Sequence, residues 1–207
     1  MPDASRASDQ MVDSLFDDIS GVILAGGKSS RYGRNKALEK IDGISLIERV
    51  AGVMGSVFEH LIIITNTPDE YAFLNIPMHG DFIRGLGPIG GIYTGLSVIH
   101  NTSGFFVACD MPLLNQDLIR YMTNKRAGFD VVVPRINGMI ETLHAVYAKG
   151  CIPAVKRLIA SKEYQTIRMF SELSVCYVER DEIRRFDPGL ESFVNINRPQ
   201  ELRRLNN

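Results

Sequence analysis

The sequence predicts an α/β domain, a three-layer sandwich with a mainly parallel central sheet. Three observations carry this expectation. Short apolar runs recur along the chain, helical patterns fall between most of them, and the connections are short. The runs that read as strands are 21–24, 61–65, 105–108, 129–133, 143–148 and 175–178. After the first run, Leu46, Ile47, Val50, Val53, Met54 and Val57 recur at spacings of three and four, which places them on one helix face, with Ser45 as the cap. Segments 89–99, 116–122, 152–160 and 200–205 are further helix candidates. Alternation of this kind, with both faces of the sheet covered, is a Rossmann-like arrangement.

The chain has 207 residues, 45% of them hydrophobic, enough for one domain with a full core. The candidate boundary lies near Ser20: residues 1–20, with Asp3, Asp9, Asp13, Asp17 and Asp18, read as a poorly ordered extension, and 21–207 as the domain. A formal charge of −1 offers no footprint for a nucleic-acid backbone, so no nucleic-acid partner is expected. No apolar run approaches the roughly twenty residues that span a bilayer, so no membrane association is expected either. The start lacks the basic and apolar regions of a secretory signal, which predicts cytoplasmic residence. Cys109, Cys151 and Cys176 are widely spaced and odd in number, as expected for buried reduced thiols.

Function is concentrated just after the first strand. Leu24, Ala25, Gly26 and Gly27 lead into a loop with Lys28, Arg31, Gly33, Arg34 and Lys36. Glycines let backbone N–H groups approach phosphate oxygens, and Arg and Lys supply the countercharge, so this reads as a nucleoside triphosphate site. Gly27-Lys28-Ser29 imitates the end of a Walker A loop, but the glycine that such a loop needs five residues earlier is replaced by Val22 of the strand. A second imitation, Gly85-Leu86-Gly87-Pro88-Ile89-Gly90, fits the dinucleotide-binding fingerprint and has Asp110 further on. It lacks a long apolar strand before it and carries a proline inside the turn.

In parallel sheets, ligands bind where strands end and loops converge. Asn66 follows the second strand and Asp110 closes the 105–108 strand, so one rim collects glycines, cations, an amide and an acid. Asp110 precedes Met111-Pro112, whose ring stops the strand. A carboxylate fixed there suits Mg²⁺, which takes one or two protein carboxylates plus phosphate and water; capping the next helix is the alternative. Asn195 and Asn197 are two apart and share a face if the segment is extended, although Asn197 could equally cap a helix beginning near Pro199.

These motifs resemble, in order and over residues 20–205, those of nucleotidyltransferases and of the molybdenum cofactor guanylyltransferases in particular. The Leu-Ala-Gly-Gly loop with Arg31, Gly33 and Lys36 is similar to the family's first signature, and residues 87–91 to its second glycine turn. Residues 109–113 resemble its metal-binding Asp-x-Pro segment and residues 193–199 its closing Asn-x-Asn motif. The resemblance implies nucleotide contacts from Leu24, Ala25, Gly26, Gly27, Lys36, Asn66, Asp81 and Asp110, with Thr65 and Thr67 as alternatives to Asn66. It implies catalytic roles for Arg31, Lys36 and Asp110, with Mg²⁺ on Asp110, and leaves Lys28 and Arg34 as surface cations. It assigns the acceptor to Asn195, Asn197 and His144. Glu141 stands where the family carries a proline or neutral polar residue.

The activity so implied is transfer of GMP from GTP to the phosphate of molybdopterin, with or without molybdenum, releasing pyrophosphate. A protein that delivers the pterin is an implied partner. A cytidylyl- or uridylyltransferase acting on another phosphorylated acceptor shares the same motifs. A noncatalytic nucleotide-binding module would bind the triphosphate without releasing pyrophosphate.

Overall fold

A computed structural model describes residues 14–26 and 35–196. Its ten strands are β1 (Phe16–Leu24), β2 (Lys40–Ile41), β3 (Ile44–Ser45), β4 (Phe58–Ile64), β5 (Met78–His79), β6 (Ser103–Ala108), β7 (Val131–Ile136), β8 (Met139–Ile140), β9 (His144–Ala148) and β10 (Val175–Glu179). The α-helices are α1 (Leu46–Gly55), α2 (Pro88–Val98), α3 (Gln116–Asn124), α4 (Ile152–Ala160) and the single turn α5 (Arg180–Ile183). The main sheet runs β10-β7-β9-β6-β1-β4-β5, with β8 hydrogen-bonded to β7. β1 pairs in parallel with both β4 and β6, and β4–β5 and β7–β10 are also parallel. β9 runs antiparallel between β6 and β7.

Alternation along the strands builds the two cores. Ile19, Ile23, Phe105, Val107, Val132 and Val146 face one side, where they meet α1, α3 and α5. Val22, Phe106, Val131, Val133, Ala145 and Tyr147 face the other and pack against α2 and α4. These are the three layers expected from the alternation of runs.

Local chemistry explains the helix starts. Ser45 caps α1 through a reciprocal pair: its hydroxyl accepts from Glu48 N at 3.3 Å while Glu48 Oε2 accepts from Ser45 N at 2.8 Å. Gly87, at φ +67°, turns the chain into α2, which lies so close to the sheet that a Cβ on Gly95 would sit 2.5 Å from Phe106 Cε1. Asn115 caps α3 by accepting from Leu118 N at 2.9 Å.

Two expectations change. β1 begins at Phe16, so the boundary near Ser20 falls inside a strand; Phe16 pairs with Phe58, and Ile19 and Ser20 are buried. The run expected at 129–133 starts later and extends to Ile136, because Phe129 is exposed before the strand and Pro134 is accommodated within it. The helix expected at 200–205 lies outside the described residues. Cys151 is buried and Cys109 and Cys176 partly so, all three as free thiols. Among the described residues, no helix is long and apolar enough to cross a membrane.

Candidate active site

The parallel strands deliver their carboxyl ends to one rim. Leu24 of β1 is level with Ile64 of β4 on one side and Ala108 of β6 on the other, so the residues that follow each strand emerge side by side. The exits are stitched together: Ala25 N donates to Ile64 O at 2.9 Å, and Cys109 N donates to Leu24 O at 3.2 Å. Leu24 and Ala25 are nearly buried, the Leu24 side chain lying under Gly91 of α2, while Gly26 is exposed at the rim.

Gly26, Asn66 and Asp81 form one group. Asn66 Nδ2 donates to Asp81 Oδ2 at 2.7 Å and Asn66 Oδ1 accepts from Asp81 N at 3.1 Å, locking the exits of β4 and β5 together. A Cβ on Gly26 would stand 3.8 Å from Asp81 Oδ2, so the carboxylate lies beside Gly26. Thr65 is buried and its hydroxyl accepts from Thr67 N at 3.2 Å, so the two threonines shape the turn and Asn66 is the residue presented to Asp81. The loop that follows is held by Thr94 of α2, whose Oγ1 accepts from Phe82 N at 3.0 Å.

Lys36 and Asp110 form the second group. Lys36 opens a 3₁₀ turn, Lys36–Leu38, and its Nζ lies 2.8 Å from Asp110 Oδ2. Asp110 lies in the turn just past β6, one residue after Cys109. Asn115 caps α3, so the helix does not need the Asp110 carboxylate as its cap. Ile196 N donates to Asp110 O at 3.0 Å, and Ile196 is buried with Ile41 and Leu46, which brings the exposed Asn195 to the same rim.

Glu141, just before β9, is drawn in as well, because β9 runs against its neighbours and starts at this rim. Its carboxylate accepts from Leu143 N at 2.9 Å. Burial pushes its pKa up, the Leu143 hydrogen bond opposes this, and the negative charge of Asp110 adds to the rise. Among the described residues no three His, Cys, Asp or Glu cluster as a complete metal cage. A single, partly exposed rim carboxylate fits Mg²⁺, whose other ligands are phosphate oxygens and water.

His144 differs from the expectation for an acceptor contact. It is wholly buried within β9, between the rings of Phe105 and Phe193 at centroid distances of 5.2 and 5.0 Å. Neither ring nitrogen has a hydrogen-bond partner, and burial lowers its pKa to about 3, so it is a neutral core residue. Strand alternation is the reason: His144 shares with Val146 the face that packs on the α1–α3 side. Gly27, Lys28, Arg31, Gly33, Arg34 and Asn197 lie outside the described residues.

Residues 21–175 match the family model of the MobA-like NTP transferase domain. The chain is 37% identical over 183 residues to a probable molybdenum cofactor guanylyltransferase of Pelotomaculum thermopropionicum, covering 88% of this chain and 89% of that one. It is 33% identical over 188 residues to a protein of the same name from Carboxydothermus hydrogenoformans, covering 91% and 95%. Among solved structures it is similar to the molybdopterin-guanine dinucleotide biosynthesis protein A of Archaeoglobus fulgidus. The TM-score is 0.77 at 26% identity, with 90% of this chain and 96% of that chain covered. An exposed glycine after β1, a paired lysine and aspartate, and this agreement along the chain have one meaning: the chain belongs to the MobA-like NTP transferase family.

Proposed function

We propose that the protein is a molybdenum cofactor guanylyltransferase, working in the cytoplasm, that transfers GMP from GTP to the terminal phosphate of molybdopterin. The observation that carries this reading is the placement of Lys36 and Asp110, in contact, beside Gly26 and Asp81 on a single rim. In the reaction a phosphate oxygen of the pterin forms a bond to the α-phosphorus of GTP, and the bond from that phosphorus to the bridging oxygen of the β-phosphate breaks. Pyrophosphate leaves with that electron pair.

The acceptor phosphate is already ionised near neutral pH, so no general base is required. Catalysis is then a matter of holding two anions together and stabilising the charge that builds on the leaving oxygen. Lys36 supplies a fixed cation for the phosphates, joined by Arg31 of the same loop. Asp110 would hold Mg²⁺, which when bound supplies neutralising charge at the α-phosphate. Asn66 and Asp81 face the nucleoside half of the nucleotide. Asn195, brought near Asp110 by the Ile196 hydrogen bond, would contact the acceptor, the role also proposed for Asn197. A carrier that hands over the pterin is the natural protein partner.

The deciding experiment measures pyrophosphate release from GTP, ATP, CTP and UTP with Mg²⁺, with and without molybdopterin, metal-free and molybdenum-loaded. Release is expected only from GTP and only with the pterin. Release from CTP or UTP in preference to GTP would reassign the nucleotide, and binding of GTP without release under any condition would make the protein a noncatalytic module.

A further inference from the structure

Asn35 immediately precedes Lys36 and holds three partners. Its Oδ1 accepts from Ala37 N at 3.1 Å and so caps the turn that carries the lysine. Its Nδ2 lies 2.7 Å from the Tyr71 hydroxyl and also donates to the Glu70 carboxylate. Tyr71 is only 2% exposed and belongs to the 3₁₀ turn Pro68–Leu74, which leaves the loop holding Asn66. One buried hydroxyl thus connects the segment after β4 to the segment that aims Lys36.

We propose that Tyr71 is a positioning residue for Lys36: its hydroxyl anchors Asn35, and Asn35 fixes the turn from which the ammonium group reaches Asp110. This rests on the reading that Lys36 serves the phosphates. A Tyr71 that merely filled the core would be replaced by Phe without consequence, since the ring packs with apolar neighbours either way. The hydroxyl matters because a buried phenol needs a partner and the one it meets is Asn35. A three-residue turn has few bonds of its own, so it depends on its cap for a fixed orientation.

The test compares Tyr71→Phe with the unaltered protein by two readouts. The first, independent of activity, is the rate at which acetic anhydride labels Lys36 in the ligand-free chain, followed by mass spectrometry against the exposed Lys156. Lys36 is expected to label several-fold faster in the variant and Lys156 at an unchanged rate. The second is turnover of GTP. The expected outcome is a loss of about 10- to 100-fold in kcat, the scale of a small misplacement of a reacting group, with KM for GTP within about twofold. In a Lys36→Ala background the same Tyr71 change should cost nothing further.

Unchanged Lys36 labelling, or an equal loss of turnover with and without Lys36, overturns the proposal. If the unaltered protein releases no pyrophosphate from GTP, the functional reading fails and labelling alone decides on Tyr71. Asn35→Asp provides a second probe that keeps the cap acceptor but sets a carboxylate against Glu70. It should speed Lys36 labelling, and adding Glu70→Gln should slow it again; failure of that rescue also counts against the strut.

Discussion

Lys36 and Asp110 stand 74 positions apart in sequence, yet their side chains meet at 2.8 Å at the end of adjacent parallel strands. The two charges satisfy each other, so under the proposed function a triphosphate and its cation would have to exchange partners with them on binding. A partly exposed pair of this kind contributes less than about 1 kcal/mol to stability, so under the proposed function its role is in turnover.

Removal of either partner should therefore affect turnover far more than folding. Asp110→Ala is expected to abolish pyrophosphate release with the thermal midpoint nearly unchanged. Lys36→Ala should lower kcat by roughly 10²–10³, the loss associated with one transition-state electrostatic contact. Steady-state kinetics beside a melting curve checks both, and full activity of Asp110→Ala would refute the assignment of the metal site.

His144 predicts a pH dependence of stability. Its pKa falls from the ordinary 6.5 to about 3 on burial, so between those values the unfolded chain binds a proton that the folded one refuses. Stability from this group is complete above pH 6.5 and is lost on acidification, at up to about 1.4 kcal/mol per pH unit. His144→Phe, which also removes two unpartnered nitrogens, should flatten the urea-midpoint profile across that range. An equally steep profile in the variant would assign the slope to other groups, such as Glu182, whose pKa is lowered to about 2.

Gly95→Ala should destabilise the domain although it adds a good helix former to α2. The new methyl would meet Phe106 at 2.5 Å and Val22 at 3.1 Å, and Phe106 is fully buried against Tyr147. Overpacking of about 1–3 kcal/mol outweighs a helix-propensity gain of about 1 kcal/mol. Denaturant titration reads the net loss directly.

Asp187→Ala should loosen the segment that carries Asn195. The buried carboxylate accepts from Glu191 N at 3.0 Å and Ser192 N at 2.8 Å, and Ser192 Oγ in turn accepts from Asn115 N at 2.9 Å. Two orphaned N–H groups imply a cost of about 2–3 kcal/mol. Kinetically, the KM for the acceptor is expected to rise while the KM for GTP holds; the reverse pattern would place Asn195 on the nucleotide side.

Much of this architecture is legible in the chain itself, and the exceptions have physical causes. The 105–108 run and the α1 face were readable because periodicity reports burial directly. The first part of β1 was not, because Asp17 and Asp18 are exposed on a strand end and look like a solvated tail. β5 has two residues, too few for any pattern. The reversal of β9 depends on which strands it meets, and no local signal encodes that. At the site, Asp110 and Lys36 were expected on one rim because few residue types suit a phosphate, and the structure brings their side chains into contact. That Asn66, and not Thr65 or Thr67, pairs with Asp81 depends on the hydrogen bonds of the turn after β4, which no local pattern encodes. His144 was misread because a polar residue in an apolar run suggests a ligand contact, whereas here both faces of the strand are covered. The contact of Asn35 with Tyr71 behind Lys36 joins residues 36 positions apart and is visible only in three dimensions.

The antiparallel course of β9 has a consequence for how such a domain can diversify. A strand that starts at the rim, flanked by strands that end there, lets the chain between β7 and β9 be lengthened or rebuilt while the strand ends leading to Gly26, Asn66 and Asp110 keep their register. Replacing the 137–143 segment is thereby expected to leave the Lys36–Asp110 and Asn66–Asp81 pairs in place, because this segment is mechanically separate from the strand ends that support them.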